Sequence, residues 1–330
     1  MNFTHVDSNV TGAVSNLDRF LTALRRNLTV FVLGITINYI NANMIHTFSK
    51  HHIFKSNPRY ILFIHLVFND MIQLTTSISL FIITYAFQTI YVYHCCLLMV
   101  PAIMTTQNTP LNIAFMAAEC YIAVCIPLRY NNLCSVKRTY IVIGIMWTCS
   151  SFSVLPDVFI LFATEPLEFI NSKVMCYRDA VFRSKYSLKK RDASHMLFLV
   201  VVWLTLFYTY FRILFVAKAA DTDAKKARNT LLLHGFQVLL CMMVYVQPML
   251  LHVLRYLFPG SLSAIYFVLF IINQIIPRFL SPIVYGIRDK TFRKYFKMYL
   301  ICTMNIHLKT TMTMLTQNSS QKSSSQGNVT

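Results

Sequence analysis

The chain has 330 residues, of which 56% are hydrophobic and 13% are charged, and its formal net charge is +18. Soluble domains carry about 25% charged residues, so this composition excludes an ordinary water-soluble protein and indicates a chain that lies in a lipid bilayer. The basic residues stand between long apolar segments instead of on one soluble face, which argues against a nucleic-acid-binding protein. The nine cysteines form no CxxC pair, so we predict no metal or redox centre.

Residues 1–26 precede the first long apolar stretch, and their start is polar. They lack the basic start, apolar centre and small-residue cleavage site of a signal peptide, so we expect the first apolar stretch to direct insertion. Asn2 and Asn9 begin Asn-x-Thr sequons and are candidate glycosylation sites. We therefore predict an extracellular N-terminal segment over 1–26.

Long stretches with almost no charged side chains follow, each near the 20 residues that a helix needs to cross the hydrocarbon core. The longest, 60–128, is interrupted by Asp70 and Glu119 alone and can hold two spans. Each span must be helical because lipid offers the backbone no hydrogen-bond partners. The predicted fold is an all-α membrane protein, a seven-transmembrane helix bundle over 27–288, with spans at 27–49, 60–86, 94–125, 139–156, 193–211, 229–254 and 256–277.

The distribution of basic residues favours an N-terminus outside the cell. In that orientation the predicted cytoplasmic pieces, near 50–59, 129–138, 218–228 and 288–330, hold 17 of the 30 Lys and Arg residues. The loop between the fourth and fifth spans, which would then lie outside, carries seven Lys and Arg residues. The excess of basic residues in cytoplasmic loops therefore favours this orientation only weakly.

The C-terminal part is expected to form two segments. Residues 289–302 alternate basic and aromatic side chains at helical spacing, which predicts a short amphipathic eighth helix on the inner leaflet of the bilayer. Cys302 is a candidate for palmitoylation. Residues 303–330 are rich in Ser, Thr, Gln and Asn and are predicted to be a disordered cytoplasmic tail.

Four local motifs resemble one receptor family. MAAECYIAVCIPLRY at 116–130 resembles the odorant-receptor signature MAYDRYVAICxPLxY, and NPRYILFIHLVFND at 57–70 resembles the entry to that family's second helix. KKARNTLLLH at 225–234 resembles KAxSTCxxH, and PRFLSPIVYGIRDK at 277–290 resembles PxLNPxIYxxRNK. The chain thus resembles the rhodopsin-like (class A) G-protein-coupled receptors of the odorant-receptor family, and within it the fish-type branch.

The resemblance implies a disulfide between the outer end of the third helix and the loop after the fourth. Cys95 lies at the first position, and Cys176 is the one cysteine of that loop. Cysteines that face outward can oxidise. Cys96 is a competing partner, and two unpaired thiols are the other alternative.

Asp70 lies where the family has a buried acid, and intramembrane acids usually mark function. The resemblance implies a sodium-and-water site that collapses on activation, with oxygens from Asn41, Asn273 and Ser281. The plainer alternative is a neutral acid that is hydrogen-bonded inside the bundle. Pro282 and Tyr285 belong to the same activation motif, in which Ser281 replaces the family's Asn.

Arg278 is unusual inside a helix. We expect it to face the bundle and to pair with either a polar group or the ligand, and the sequence favours neither.

At the cytoplasmic end of the third helix, Glu119 is followed by Cys120 where the wider family has Arg. A thiol cannot form a bidentate salt bridge, so Glu119 needs another partner, such as Arg212, or is protonated. With Cys120 in that position, the salt bridge that holds the resting state in the wider family is in doubt. Tyr121, Tyr210 and Tyr285 are still expected to line the cavity that faces the G protein.

Pro248 in the sixth span removes one backbone hydrogen bond and is a candidate hinge, with a purely structural kink as the alternative. Tyr245 is expected to replace in part the tryptophan that the wider family has nearby.

A ligand pocket is expected between the outer halves of helices three, five, six and seven. Most of the candidates are apolar residues at helical spacing, which usually indicates packing alone. Because no lysine occurs between 256 and 288, a retinal Schiff base in the seventh helix is excluded. The candidates are Met99, Ile103, Thr106, Gln107, His195, Met249, Val253, Ile271 and Gln274.

The sequence therefore predicts a chemosensory receptor in the plasma membrane that binds a small-molecule odorant and activates a heterotrimeric G protein. Arrestin and a receptor kinase are expected partners of the tail. One alternative is a non-olfactory rhodopsin-like receptor for a peptide or small molecule. A transporter would have only Asp70 and Arg278 as intramembrane charges for its pathway. HExxH and GxSxG motifs are absent, so no enzyme is predicted.

Overall fold

A computed structural model describes residues 3–87, 89–219, 232, 235–236, 239, 247, 250–281 and 291–299, and these are mainly helical. Two strands, β1 (Ile90–Tyr91) and β2 (Lys173–Val174), pair antiparallel. We number the helices α1 to α12 in chain order. They are α1 (Phe3–Lys50), α2 (His52–Lys55), α3 (Pro58–Phe87), α4 (Val92–Cys125), α5 (Tyr130–Leu133), α6 (Val136–Thr164), α7 (Leu167–Ile170), α8 (Arg178–Val181), α9 (Lys185–Ala219), α10 (250–257), α11 (Leu262–Phe270) and α12 (291–299).

Five helical segments of the described chain are long and apolar enough to cross a membrane. A sixth is added if α4 is counted together with the bent segment Pro127–Leu133 that follows it. These six agree with the predicted spans one to five and seven, which confirms the all-α membrane fold. The predicted sixth span, 229–254, lies largely outside the described residues. The five segments are Phe20–Lys50, Pro58–Thr84, Val136–Thr164, Met196–Val216 and Leu262–Ser281.

The predicted start of the seventh span at residue 256 is wrong. Helix α10 continues through Leu257, a 3₁₀ turn covers Pro259–Ser261, and α11 begins at Leu262. The sequence predicts a boundary at Arg255 because this residue is charged. In the structure Arg255 lies inside α10, and its guanidinium donates to the Tyr266 hydroxyl at 2.9 Å. The proline-containing turn marks the boundary, since Pro259 cannot donate a backbone hydrogen bond to continue α10.

Helix α4 lies at the centre of the bundle and contacts α3, α6 and α9. The largest apolar cluster joins α3, α4, α6 and α9 through residues such as Leu66, Ile113, Met146 and Val202. Other large apolar side chains of these helices point outward, and Phe152 is 75% exposed. An apolar outer surface of this kind suits lipid and not water, which agrees with the composition.

The N-terminal end of α4 is fixed by the β1–β2 pair. Ile90 lies opposite Val174 and Tyr91 lies opposite Lys173, so the strand before α4 is paired with the loop after α6. The connection between the predicted second and third spans therefore contains one strand of a small sheet. An apolar cluster that includes Val92, Leu161 and Phe182 packs beneath it.

Helix α12 is attached to the bundle by Phe292, which is 1% exposed. Its ring packs against Phe54, Tyr60 and Phe63. Arg293, Lys294 and Lys297 of the same helix are exposed. Residues 291–299 thus form a helix inside the predicted segment 289–302, and its contact with lipid stays a prediction.

Candidate functional site

Asp70 lies near the middle of the span Pro58–Thr84 and is 1% exposed. The Ser281 hydroxyl donates to its Oδ2 atom at 2.7 Å. The Nε atom of Arg278 lies 4.0 Å from its Oδ1 atom, and Arg278 is also 1% exposed. A buried charge needs a partner of opposite sign, and Arg278 provides it, so this arginine faces the bundle as predicted.

The backbone of the seventh span positions Arg278. Ile271–Ile275 form a π-helical turn, which is followed by Pro277. In an α-helix the N–H of residue 277 would donate to the Asn273 carbonyl, but proline has no N–H. The Nη1 atom of Arg278 donates to this carbonyl instead, at 2.6 Å. The irregular turn thus holds the guanidinium inside the bundle, as π-helical turns often do at functional sites.

Asn41 and Asn273 are buried, but neither side chain is hydrogen-bonded to Asp70 in this structure. The Asn273 amide donates to Gln247 at 2.9 Å, and the polar atoms of the Asn41 side chain have no hydrogen-bond partner among the described residues. Of the three side chains predicted to place an oxygen beside Asp70, Ser281 is hydrogen-bonded to it in the structure.

Glu119 is 5% exposed and is held by Arg59 at the start of α3. The Nε and Nη2 atoms of Arg59 donate to its two carboxylate oxygens, each at 3.0 Å. The Tyr130 hydroxyl adds a third bond at 2.7 Å. Burial and the nearby Glu119 carboxylate raise the pKa of Tyr130 above its usual range, so the phenol stays protonated and donates. A bidentate arginine pair is a strong and directional contact.

The expected contact between Glu119 and Arg212 is therefore wrong. Arg212 on α9 is exposed and hydrogen-bonds Tyr121, whose ring also contacts Tyr208 at 5.6 Å. Cys120 is 2% exposed and belongs to the main apolar cluster. Its side chain points into the core, because successive residues of a helix face different directions. The arginine that pairs with Glu119 is Arg59, which comes from α3.

The opposite end of α4 carries the disulfide Cys95–Cys176, with a Cα–Cα distance of 5.6 Å and a sequence separation of 81. The predicted pairing is confirmed, and the competitor Cys96 is a buried free thiol. The bridge lies beside the β1–β2 pair, so the loop after α6 is tied to α4 by both covalent and backbone contacts.

A family profile named "7 transmembrane receptor (rhodopsin family)" matches residues 40–285 of this chain. The chain belongs to the rhodopsin family of seven-transmembrane receptors. It is also 32% identical over 289 residues to "Odorant receptor 131-2" of Danio rerio, an alignment that covers 85% of this chain and 87% of the zebrafish protein. The predicted resemblance is confirmed, and the rhodopsin-family receptor is a multi-pass membrane protein of seven spans.

Two of the predicted pocket residues, Thr106 and Gln274, are joined by a residue that the sequence did not suggest. Gln73 on α3 donates to Thr106 at 2.7 Å and to Gln274 at 3.4 Å. Ser77, one turn later on α3, also donates to Gln274 at 3.4 Å. Gln73 and Ser77 were missed because two polar residues in an apolar run carry no motif. Together these four residues form a polar cluster between α3, α4 and the seventh span, which we call the Gln73 cluster.

The other described pocket candidates make different contacts. Met99 and Ile103 pack in the apolar cluster beneath the β1–β2 pair, and Ile271 packs with Phe81 in a separate cluster. Gln107 donates to Ser153 at 3.0 Å on the side of α6. Val253 is 44% exposed and belongs to none of these clusters.

Asp157 is a third buried acid, and it lies one residue beyond the predicted end of the fourth span. It is 2% exposed and contacts Lys190 at 2.6 Å, Arg178 at 3.4 Å and Ser187 at 2.5 Å. The predicted fourth span ended at residue 156, whereas α6 continues through Pro156 to Thr164. The acid therefore lies on a helix and ties α6 to α9 and to the intervening loop.

Several predicted residues fall outside the description, and their roles stay predictions. Backbone is described at Asn9 and His195 but their side chains are not. The residues that lie outside entirely are Asn2, Tyr245, Pro248, Met249, Pro282, Tyr285 and Cys302, together with the tail 303–330.

Proposed function

We propose that this rhodopsin-family receptor is an odorant receptor of the plasma membrane with its N-terminus outside the cell. The observation that carries the proposal is the 32% identity, over most of both chains, to a zebrafish protein named as an odorant receptor. A small odorant binds in the outer half of the bundle, and the cytoplasmic face then promotes nucleotide exchange on a heterotrimeric G protein. The receptor itself makes or breaks no covalent bond.

The Gln73 cluster supports a ligand site in the outer half. Gln73 and Ser77 are buried, and Thr106 and Gln274 are half-buried. Pockets for small molecules are commonly apolar with a few well-placed polar groups that fix orientation. The ligand of this proposal is therefore a small, partly polar molecule that exchanges hydrogen bonds with Gln73, Thr106 and Gln274.

The pair between Glu119 and Arg59 supports a switch at the cytoplasmic end. It joins the end of α4 to the start of α3, and Arg59 remains 32% exposed, so water or a partner protein can reach it. Opening this pair frees both helix ends, and ligand binding acts by shifting the population toward the open state. Tyr121 and Tyr210 lie on the same cytoplasmic side and contact the G protein in this proposal.

The partners of the cytoplasmic tail follow from composition. The Ser- and Thr-rich residues 303–330 are the proposed substrate of a receptor kinase and, once phosphorylated, the docking segment for arrestin. The exposed bases of α12 lie against the anionic inner leaflet.

A ligand screen tests the proposal. Cells that express the receptor with a G-protein-coupled cAMP or calcium reporter are exposed to a panel of small water-soluble odorants, and surface expression is checked with an N-terminal tag. We expect at least one compound to give a signal that Gln73→Leu weakens about tenfold in potency, the effect of about 1.4 kcal/mol.

The control is Ser79→Ala, since the Ser79 hydroxyl bonds the backbone of its own helix. A surface-expressed receptor that transports a labelled compound, and gives no reporter signal with any panel member, would contradict the proposal.

A further inference from the structure

The environment of Asp70 differs from that of a sodium site. The carboxylate already has two partners, since Oδ2 accepts from Ser281 and Oδ1 lies 4.0 Å from the Arg278 guanidinium. Sodium is a hard cation that is held by several oxygen atoms in a site of net negative charge. Asp70 and Arg278 together carry no net charge, and both are 1% exposed. The local charge that would attract a free cation is therefore neutralised by the protein.

The guanidinium cannot simply swing out to admit an ion. Its Nη1 atom is fixed by a 2.6 Å bond to the Asn273 carbonyl, which Pro277 leaves without its α-helical donor. Moving Arg278 away would leave both that carbonyl and Asp70 without these partners inside the bilayer, which is costly. A sodium ion beside Asp70 would also repel the guanidinium in surroundings of low dielectric constant.

Neither of the two asparagines expected to complete a sodium site is hydrogen-bonded to Asp70 in this structure. The Asn273 amide nitrogen donates to Gln247, and the side-chain oxygens of Asn41 and Asn273 have no hydrogen-bond partner among the described residues. Because the position beside the Asp70 carboxylate already holds the Arg278 guanidinium and the Ser281 hydroxyl, the residues present do not fit a sodium ion there.

We propose that Arg278 is a built-in cation that takes the place of sodium beside Asp70, so that the stability of this receptor does not depend on sodium. Asp70 and Arg278 join α3 to the seventh span by a contact within the chain itself. The inactive arrangement is then held by this pair at any sodium concentration. This inference needs neither a ligand nor a G protein, so its outcome is separate from that of the proposed odorant function.

Thermal unfolding of the purified full-length receptor tests the inference. The midpoint Tm is measured in detergent in sodium chloride and in choline chloride of equal ionic strength. We expect the wild-type Tm to be the same in both salts. Arg278→Gln leaves Asp70 without its cation, so that sodium can bind there. The Tm of this variant should be about 2 °C or more higher in sodium chloride than in choline chloride. Asp70→Asn combined with Arg278→Gln should lose that rise, because the negative charge is gone.

Arg293→Gln, a change of the same kind at an exposed arginine, is the matched control and should behave as wild type. A wild-type Tm that is about 2 °C or more higher in sodium chloride than in choline chloride overturns the inference, and so does a folded Arg278→Gln receptor that does not respond to sodium.

If Arg278→Gln does not fold, the wild-type comparison still decides, and a second measurement supports it. Asp70→Asn alone leaves a buried unpaired guanidinium and should be less stable than the double variant. Equal Tm values for these two would show that the residues do not act as a pair and would overturn the inference.

Discussion

At the scale of single residues, the most informative feature is the pair between Glu119 and Arg59. The sequence identifies Glu119 as an acid that lacks its usual neighbour, because Cys120 follows it. It does not identify the partner, since Arg59 stands 60 residues earlier in the chain. One signal was available: Arg59 is a base at the predicted cytoplasmic start of the second span, on the same side of the membrane as Glu119. Pairing across helices still depends on packing that a single sequence does not contain.

Glu119→Gln should raise the ligand-independent output of the receptor. The change removes the charge that holds Arg59, and the pair is worth about 1 kcal/mol after allowance for the exposure of Arg59. A change of this size shifts the open population about fivefold. Reporter output per receptor at the cell surface measures it, with Lys55→Ala, an exposed base nearby, as the control. Output equal to wild type would show that the pair does not restrain the receptor.

Cys120→Arg should lower the stability of the receptor, although it restores the residue of the wider family. Cys120 is 2% exposed in the main apolar cluster, and an overpacked core costs about 1–3 kcal/mol, with a further penalty for a buried charge. The measurement is the Tm in detergent, with Cys120→Ser as a control of similar volume. An unchanged or higher Tm for Cys120→Arg would mean that the arginine reaches Glu119 after all.

At the scale of elements, the spans were predictable and the irregular connections were not. Long apolar stretches located α1, α3, α4, α6 and α9 because hydropathy reports directly on lipid contact. The two-residue strands β1 and β2 are too short to leave a pattern, and the π-helical turn Ile271–Ile275 has no sequence signature beyond the nearby Pro277. The predicted end of the fourth span at residue 156 is wrong because the next residue, Asp157, is charged, whereas α6 continues through both residues to Thr164.

The outer loop should depend on the disulfide. Loss of a native disulfide costs about 2–5 kcal/mol in small domains, so Cys95→Ser and Cys176→Ser should each lower the Tm by the same amount. Their double variant should lower it no further, because both changes remove one bond. Cys96→Ser is the matched neighbour and should leave the Tm near that of wild type. A larger loss for Cys96→Ser than for Cys95→Ser would contradict the pairing.

At the scale of the whole molecule, α3 and α4 carry residues of the Gln73 cluster and of the Glu119–Arg59 pair. Helix α3 contributes Arg59 at the cytoplasmic end, Asp70 mid-span and Gln73 in the Gln73 cluster. Helix α4 contributes Thr106 to that cluster and Glu119 to the cytoplasmic pair. The contact between these two helices therefore joins the Gln73 cluster to the Glu119–Arg59 pair, and it is the expected route by which a ligand acts on Glu119.

The central claim is that the chain crosses the membrane seven times, so that the Gln73 cluster opens outward and the Glu119–Arg59 pair faces the cytosol. Antibody staining of cells that carry one tag before residue 1 and another after residue 330 tests it most directly. We predict that intact cells stain for the N-terminal tag alone and that the C-terminal tag appears only after permeabilisation. Staining of the C-terminal tag on intact cells, or of both tags on the same side, would contradict the account.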